Sequence, residues 1–170
     1  MREREDPFMP PSGRQEDPGR APLRILCVCL GNICRSPMAE GVIRRRAAEA
    51  GLAVEVDSAG IADWHAGKPP DPRGLAVAAA RGYDNSAQRA RQVRPGDFHE
   101  FDLILAMDRA NLAALERLRP AGAGAELRLF HPAGRDIPDP WHGDLPDYEH
   151  ALDLIEEASG VLIAELAGRA

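Results

Sequence analysis

The chain contains 170 residues, of which 44% are hydrophobic and 28% charged, and it carries a formal net charge of -6. This length suits one domain with a sizeable core. The negative charge argues against nucleic acid and anionic membranes as partners, and no apolar run approaches the roughly 20 residues that a membrane span needs. We therefore expect a globular domain with no nucleic-acid partner and no membrane insertion.

The N-terminal segment, residues 1–22, is rich in proline, glycine, arginine and acidic residues. It has too little apolar surface to offset the entropy lost on ordering, which predicts a disordered tail followed by one domain over residues 23–170. It also lacks the apolar centre of a secretory signal. The three cysteines lie close together between Cys27 and Cys34, which does not form a disulfide framework. These features favour the cytoplasm, and secretion by a route without a signal peptide stays open.

Apolar periodicity predicts strands that alternate with helices along the chain. Strands are expected over residues 24–28, 54–58, 101–107 and 127–130, and helices over residues 38–50, 73–81 and 147–166, with a further helix after Asp108. The alternation is typical of an α/β fold, in which helices cover both faces of a parallel sheet and form three layers. A ligand is then expected at the carboxyl ends of the strands.

Several side chains are predicted to cap or bury these helices. Ser36 is a candidate N-cap of the first helix, and Gly51 is expected to end it. The residues expected to face the sheet recur at helical spacing. They are Met38, Val42, Ile43, Ala47 and Ala50 in the first helix, Leu112, Leu115 and Leu118 in the third, and Tyr148, Leu152, Ile155, Leu162 and Leu166 in the last.

The stretch that carries chemistry is CLGNICRSP, residues 29–37, between the first strand and the first helix. This geometry points backbone N–H groups into a concavity at the positive end of a helix, which suits a tetrahedral oxyanion. The thiolate of Cys29 is the nucleophilic form of cysteine, and such a nest favours it. Arg35 can donate to two oxygens of a phosphate. The loop is therefore predicted to hold a phosphate over a sulfur nucleophile.

Other residues of this stretch are expected to shape it. Gly31 and Asn32 suit backbone conformations with positive φ. Ser36 can donate its hydroxyl to the Cys29 thiolate, or it can cap the helix, and both roles stay open. Taken alone, Cys29 could also be a small buried side chain at the end of a strand.

The string VCLGNICRSPMAE, residues 28–40, closely resembles the signature of the low-molecular-weight protein tyrosine phosphatases. The resemblance continues in the family's order with DSAG at 57–60, WHAGKPPDPR at 64–73, ARQ at 90–92, AMD at 106–108 and IPDP at 137–140. It implies a sheet of four strands in the order 2-1-3-4. It also implies a cytoplasmic hydrolase that acts on phosphotyrosine in proteins, with a cognate tyrosine kinase as one candidate substrate.

The resemblance assigns the catalytic roles residue by residue. Cys29 would attack phosphorus and form a phosphocysteine intermediate, and Arg35 would bind the phosphoryl oxygens. Asp139 would protonate the leaving oxygen and then deprotonate water. An Asp-Pro pair taken alone is usually a turn, so the match of Asp139 to the family's late Asp-Pro carries this assignment.

The remaining site residues would bind or support the phosphate and the ring. Leu30, Ile33, Trp64 and Trp141 are apolar or aromatic and are expected to form the walls of a slot for an aromatic ring. The full predicted binding set is Leu30, Gly31, Asn32, Ile33, Cys34, Ser36, Trp64 and Trp141. By resemblance, Ser58 and Asn32 hold the loop in shape through hydrogen bonds, with Gln88 in a third supporting position. We expect no metal and no cofactor, because the five histidines lack ligand spacing.

Three departures from the family pattern are visible. Ile61 stands where many members have threonine, and Gln88 stands where they have a histidine that supports the loop. Trp141 and His142 follow Asp-Pro where many members have tyrosines, so regulation through those tyrosines is absent. A reversible Cys29–Cys34 disulfide under oxidants is a further hypothesis.

Three other functions compete with a phosphotyrosine phosphatase. A thioredoxin-coupled arsenate reductase would need cysteines beyond the loop, and none follows Cys34. Phosphoarginine phosphatases look similar but tend to have threonine where Ile33 stands, so Ile33 favours an aromatic ring. A phosphoprotein-binding module without activity would not need Cys29, Arg35 and Asp139 together. The physiological substrate stays open among the cell's own proteins, a kinase for polysaccharide export and proteins of a host.

Overall fold

The structure is a computed structural model that describes residues 21–169. The predicted disordered tail therefore lies, for residues 1–20, outside the described part of the chain. Within residues 21–169 no helix combines the length and the apolar character that a membrane crossing requires.

The core of the fold is a four-stranded sheet in the order β2-β1-β3-β4. The strands are β1 (Leu23–Cys29), β2 (Val54–Gly60), β3 (Leu103–Ala106) and β4 (Glu126–Leu129). All three pairings are parallel. The α/β class and the predicted 2-1-3-4 order are confirmed, and β1 and β3 occupy the centre because they are the most continuously apolar runs.

In the described part of the chain, five helices connect and follow the strands: α1 (Arg35–Glu49), α2 (Pro72–Ala80), α3 (Asp97–Glu100), α4 (Arg109–Leu118) and α5 (Leu145–Arg169). The short α3 contains only four residues, which are too few to show a helical period in the sequence. Asp108 caps α4 as expected, since its side chain accepts from the Asn111 backbone N–H.

Two apolar clusters cover the two faces of the sheet. Alternate residues of β1 divide between them, with Ile25 and Cys27 on one side and Leu26 and Val28 on the other. The first cluster takes its helical residues from α1, α2 and α5, and the second includes Phe98 of α3 and Leu115 of α4. The three-layer arrangement is confirmed, and Cys27 is a fully buried core residue.

Helix ends account for the local differences from prediction. Cys34, not Ser36, is the N-cap of α1, and it makes no side-chain cap hydrogen bond. Ala50 and Leu118, which were expected to face the sheet, are exposed because they lie at the ends of α1 and α4. Gly51 has a φ of +68° just after α1, as a helix stop requires. The five predicted core residues of α5 are buried.

Candidate active site

The phosphate loop (residues 29–35) lies at the carboxyl end of β1, between the ends of β2 and β3. Two backbone hydrogen bonds tie its start to the chain after β2, from Ile61 N to Cys29 O and from Ala62 N to Leu30 O, each 2.9 Å. A Cβ at Gly60 would lie 3.0 Å from the Leu30 carbonyl oxygen. Glycine is therefore required for this close approach of the backbones.

The thiol of Cys29 lies at the floor of a pocket, and the residue is 2% exposed. Its Sγ accepts from the Asn32 backbone N–H at 3.3 Å and lies 3.0 Å from the Ser36 hydroxyl oxygen. Ser36 already accepts from the Asn32 side-chain amide at 2.8 Å, so its own hydrogen is free to point at sulfur. Both contacts stabilise negative charge on Sγ.

The side chain of Asn32 holds the loop together. Its amide nitrogen donates to Ser36 and, at 2.9 Å, to Ser58, and its oxygen accepts from the Arg91 backbone N–H at 3.0 Å. Asn32 has a φ of +57°, as predicted, but Gly31 has no positive φ. Gly31 is needed for another reason, since a Cβ there would lie 3.0 Å from the His65 ring. Glycine at 31 serves close packing rather than a special backbone conformation.

A buried carboxylate supports Ser58 from behind. The Ser58 hydroxyl donates to Glu40 Oε1 at 2.9 Å, and Glu40 is only 4% exposed. Burial raises the pKa of Glu40, and hydrogen bonds from Arg44 and Ser58 oppose this in part. The hydrogen-bonded chain from Glu40 through Ser58, Asn32 and Ser36 ends at the sulfur of Cys29.

Arg35 is buried under the pocket and is 2% exposed. One terminal nitrogen donates to Asp108 and, at 2.9 Å, to the Ile137 carbonyl, and the other lies 3.6 Å from Asp139 Oδ2. Burial lowers the pKa of Arg35, but the charges of Cys29 and Asp108 raise it more, so that it stands above its usual value. The guanidinium is therefore a permanent cation beside the thiol.

Asp139 lies in the second rim loop (residues 130–144), between β4 and α5. Its side chain is 40% exposed, and its Oδ1 accepts from the Trp141 backbone N–H at 3.1 Å. The carboxylate lines the same pocket as Cys29 and Arg35. The three predicted catalytic side chains thus converge on one cavity, although Asp139 lies more than a hundred residues after Cys29 and Arg35 in the chain.

The pocket has a volume of about 330 Å³, with Cys29 and Arg35 among its lining residues. Its walls come from the phosphate loop, from the first rim loop (residues 61–71) and from the second rim loop; they are Leu30, Gly31, Ile33, Cys34, Trp64, His65, Asp139, Trp141 and His142. All four predicted wall residues are present. Trp64 is the most open of them at 66% exposed. A polar floor under apolar walls suits a phosphate that carries a ring.

Two further predicted residues make hydrogen bonds outside the phosphate loop. Gln88 donates its amide to the Pro37 carbonyl at 3.2 Å in the first turn of α1. Cys34 belongs to the phosphate loop and lines the pocket, and its sulfur lies 3.3 Å from the Tyr148 hydroxyl oxygen. Burial raises the pKa of Cys34 to about 12, and the hydrogen bond with Tyr148 lowers it only in part. Cys34 is therefore a neutral thiol.

Comparison with known proteins gives this site its context. The sequence matches the family described as low molecular weight phosphotyrosine protein phosphatase over residues 24–169. The chain belongs to this family. It is also 44% identical over 161 residues to a low molecular weight protein-tyrosine-phosphatase of Streptomyces coelicolor, and the alignment covers 86% of this chain and 98% of that one. It is thus a phosphatase of the protein-tyrosine class.

Solved structures of relatives have the same fold as this phosphatase. Vibrio vulnificus Wzb in complex with benzylphosphonate has a TM-score of 0.78 at 33% identity, covering 85% of this chain and 99% of that one. A Drosophila arginine phosphatase has a TM-score of 0.80 at 29% identity, and the match covers 85% of this chain and 98% of that one. The two relatives share this fold under different names, so the fold alone does not identify a substrate.

Sequence reasoning overlooked four residues of this phosphatase's site. Asp108 and Glu40 were quoted in the family strings but given no role in the site, and His65 and His142 line the pocket. Asp108 lies two residues after the end of β3, and the neighbouring ends of β1 and β3 in a 2-1-3-4 sheet could have indicated its contact with Arg35. No group of three metal-ligating side chains occurs among residues 21–169.

Proposed function

We propose that this phosphatase hydrolyses phosphotyrosine in proteins through a phosphocysteine on Cys29. The observation that carries the proposal is the position of the buried Cys29 sulfur, within 3.3 Å of the Asn32 N–H and 3.0 Å from Ser36, in a pocket that Arg35 and Asp139 also line. A sulfur nucleophile with hydrogen-bond donors below an open cavity suits attack on a bound phosphate.

In the first step the Cys29 thiolate attacks phosphorus opposite the tyrosine oxygen. The S–P bond forms as the P–O bond breaks, and the proton on Asp139 moves to the leaving phenolate oxygen. Arg35 and the loop N–H groups hold the three phosphoryl oxygens throughout. The products of this step are free tyrosine on the substrate protein, phosphocysteine and an Asp139 carboxylate.

In the second step a water molecule replaces tyrosine in the pocket. Asp139 takes a proton from the water, whose oxygen attacks phosphorus as the S–P bond breaks. The Ser36 hydroxyl stabilises the departing Cys29 thiolate through the hydrogen bond described above. Inorganic phosphate leaves, and the enzyme returns to its starting protonation. No metal or cofactor takes part.

The pocket walls support an aromatic substrate. Ile33 presents an apolar side chain to the cavity, and Trp64 and Trp141 can stack on a ring. The relative that was solved with benzylphosphonate holds a ligand that combines a phenyl ring with a phosphonate. The partners that follow are phosphotyrosine proteins of the cytoplasm, with a cognate tyrosine kinase as one candidate.

Phosphoarginine is the second candidate substrate, because one structural relative is named an arginine phosphatase. A guanidinium would gain from a polar wall residue, and Ile33 offers no hydrogen bond. Ile33→Thr is therefore expected to raise activity on phosphoarginine relative to phosphotyrosine.

The test is hydrolysis of phosphotyrosine and phosphoarginine peptides in the presence of a chelator. Wild type should prefer phosphotyrosine, Cys29→Ser should be inactive, and Asp139→Ala should lose about 10²–10⁴-fold in activity. Activity that survives Cys29→Ser would overturn the mechanism. A wild-type preference for phosphoarginine would overturn the substrate assignment, and binding without hydrolysis of either peptide would favour a phosphoprotein-binding module.

A further inference from the structure

We propose that Arg73 is a positioning residue that holds the second rim loop so that Asp139 stays over the sulfur of Cys29. The inference rests on the proposed function, because it assigns Arg73 an effect through the general acid. Arg73 lies in the first turn of α2 and does not line the pocket. It reaches the general acid only through the backbone of the second rim loop.

Arg73 links two separate segments with its guanidinium. On one side it bonds to Asp71, from Nε to Oδ1 at 3.0 Å and from Nη2 to Oδ2 at 3.1 Å. On the other side it donates to the Gly143 carbonyl at 2.8 Å and to the Trp141 carbonyl at 3.2 Å. Four hydrogen bonds thus use all three nitrogens of one planar group, a geometry that lysine cannot reproduce.

Asp71 anchors Arg73 next to the phosphate loop. Asp71 donates its backbone N–H to the Ile33 carbonyl at 2.8 Å, and its side chain caps α2 by accepting from the Arg73 N–H at 2.9 Å. The side chain is 8% exposed. Burial raises the pKa of Asp71, but the hydrogen bonds from Arg73 lower it more, so the carboxylate stays ionised. This end of the link is therefore attached to the phosphate loop.

The other end of the link lies two residues from the general acid. Trp141 donates its backbone N–H to Asp139 at 3.1 Å while its carbonyl accepts from Arg73. The Arg73 guanidinium also lies over the Trp141 ring at 5.7 Å and over the Tyr148 ring at 4.8 Å. A continuous path of contacts runs from the phosphate loop through Asp71, Arg73 and Trp141 to Asp139.

Asp139 has few other contacts that could fix its position. Its side chain is 40% exposed, and its ion pair with Arg35 has an N–O distance of 3.6 Å. Arg35 must also bind phosphate in the proposed mechanism, so that pair cannot hold the carboxyl during the reaction. Loss of Arg73 would leave the Trp141 and Gly143 carbonyls without this donor and would let the loop move. Misplacement of a general acid slows proton transfer.

The test compares leaving groups that differ in their need for a proton. The phenolate of a phosphotyrosine peptide needs protonation, whereas the anion released from dinitrophenyl phosphate leaves without it. Arg73→Met should lower kcat/KM roughly 10-fold or more on the peptide and less than about 2-fold on dinitrophenyl phosphate. Inhibition by inorganic phosphate should be unchanged, and Arg73→Lys should give an intermediate loss on the peptide.

Arg81→Met is the matched control. Arg81 follows the other end of α2 and pairs with Asp153 at 2.7 Å and with Glu156, so the variant removes a link between α2 and α5 without touching the second rim loop. It should leave both activities unchanged. An equal loss on both substrates in Arg73→Met and Arg73→Lys would mean a structural role only and would overturn the proposal.

A double variant separates this inference from the mechanism beneath it. Since Arg73 acts through Asp139, Arg73→Met combined with Asp139→Asn should be no slower on the peptide than Asp139→Asn alone. If the losses of kcat/KM in the two single variants multiplied in the double variant, the proposal would be overturned. If Asp139→Asn lowered kcat/KM equally on both substrates, the general-acid assignment would fail. If the loss of kcat/KM depended on the leaving group in Asp139→Asn but not in Arg73→Met, only the role of Arg73 would fail.

Discussion

The floor and the rim of the pocket differ in how they are built. At the floor, Cys29, Asn32, Arg35 and Ser36 are each at most 2% exposed and hydrogen-bonded to one another or to neighbouring segments of the chain. At the rim, Trp64 and Trp141 are 66% and 40% exposed, and the side chain of Asp139 is 40% exposed. The floor is a buried network of hydrogen bonds, whereas the rim consists of exposed side chains on loops.

This difference separates two properties of the enzyme. A buried polar group without a partner is costly, so each change at the floor affects both stability and chemistry. An exposed wall residue other than Asp139 is placed to contact mainly the substrate, so a change there affects binding and leaves the fold intact. Substitutions at the two levels should therefore give different combinations of kinetic and stability effects.

The largest effect is expected from Arg35→Lys at the floor. Lysine keeps the charge but cannot donate to Asp108, to the Ile137 carbonyl and to a phosphate with one planar group. We expect kcat/KM on a phosphotyrosine peptide to fall about 10²–10³-fold, the loss typical of removing a donor to a transition-state anion. Arg128→Lys, which alters an ion pair with Glu165 away from the pocket, should retain activity. Equal activity in both variants would contradict a special role of the floor.

Asn32→Ala is expected to lower both stability and activity. The variant leaves the Arg91 N–H without its acceptor and removes the donor to Ser36 and Ser58. We expect the free energy of unfolding to fall by about 1–3 kcal/mol, as for other buried groups that lose a partner. Denaturation in urea measures this loss. Glycine adopts a φ of +57° without strain, so Asn32→Gly should lose less free energy of unfolding than Asn32→Ala. Equal stability of Asn32→Ala and wild type would contradict a supporting role of this hydrogen-bond network.

Trp141→Ala at the rim should change binding only. Stacking of an aromatic pair contributes about 0.5–1.5 kcal/mol, so KM for a phosphotyrosine peptide should rise roughly 2–10-fold with kcat nearly unchanged. Trp141→Phe should retain most of the affinity. Urea denaturation should give the wild-type stability for both variants. A large loss of kcat with an unchanged KM would show that the Trp141 side chain serves the chemistry rather than the ring.

The smallest effect is expected at the two cysteines that the mechanism does not use. Burial raises the pKa of Cys27, and the pKa of Cys34 is about 12, so at pH 8 both remain neutral thiols. Alkylation by iodoacetamide requires a thiolate. Intact mass should show one adduct on the folded protein, located at Cys29 and prevented by inorganic phosphate. An adduct on Cys34 at pH 8 would contradict its burial against Tyr148.

The sheet and the phosphate loop could be predicted because their signals are local in sequence. An apolar run precedes Cys29, and Arg35 follows six residues later, so one short segment contains both the proposed nucleophile and the cation. The proposed role of Asp139 required family resemblance, since an Asp-Pro pair has no local feature that separates a general acid from a turn.

The contacts that prediction missed or misjudged depend on tertiary structure. Ser36 was also a candidate helix cap, but its hydroxyl lies between Asn32 and Cys29. Gly31 was assigned a positive φ, but it provides room for the His65 ring. Gln88 supports α1 at Pro37 instead of the loop side chains. The partners of Gly31 and Gln88 come from other parts of the chain, which spacing along the sequence does not indicate, whereas the contact of Ser36 with Cys29 is one of its two predicted roles.

The most direct test of the central proposal is to trap the intermediate. Asp139→Ala, given dinitrophenyl phosphate, should complete the first step, which needs no acid with this leaving group, and should stall at the second, which needs a base. Acid quenching followed by peptide mass spectrometry should then find one phosphoryl group on Cys29. A phosphoryl group on His65 or His142, or turnover without any phosphorylated peptide, would contradict a phosphocysteine mechanism.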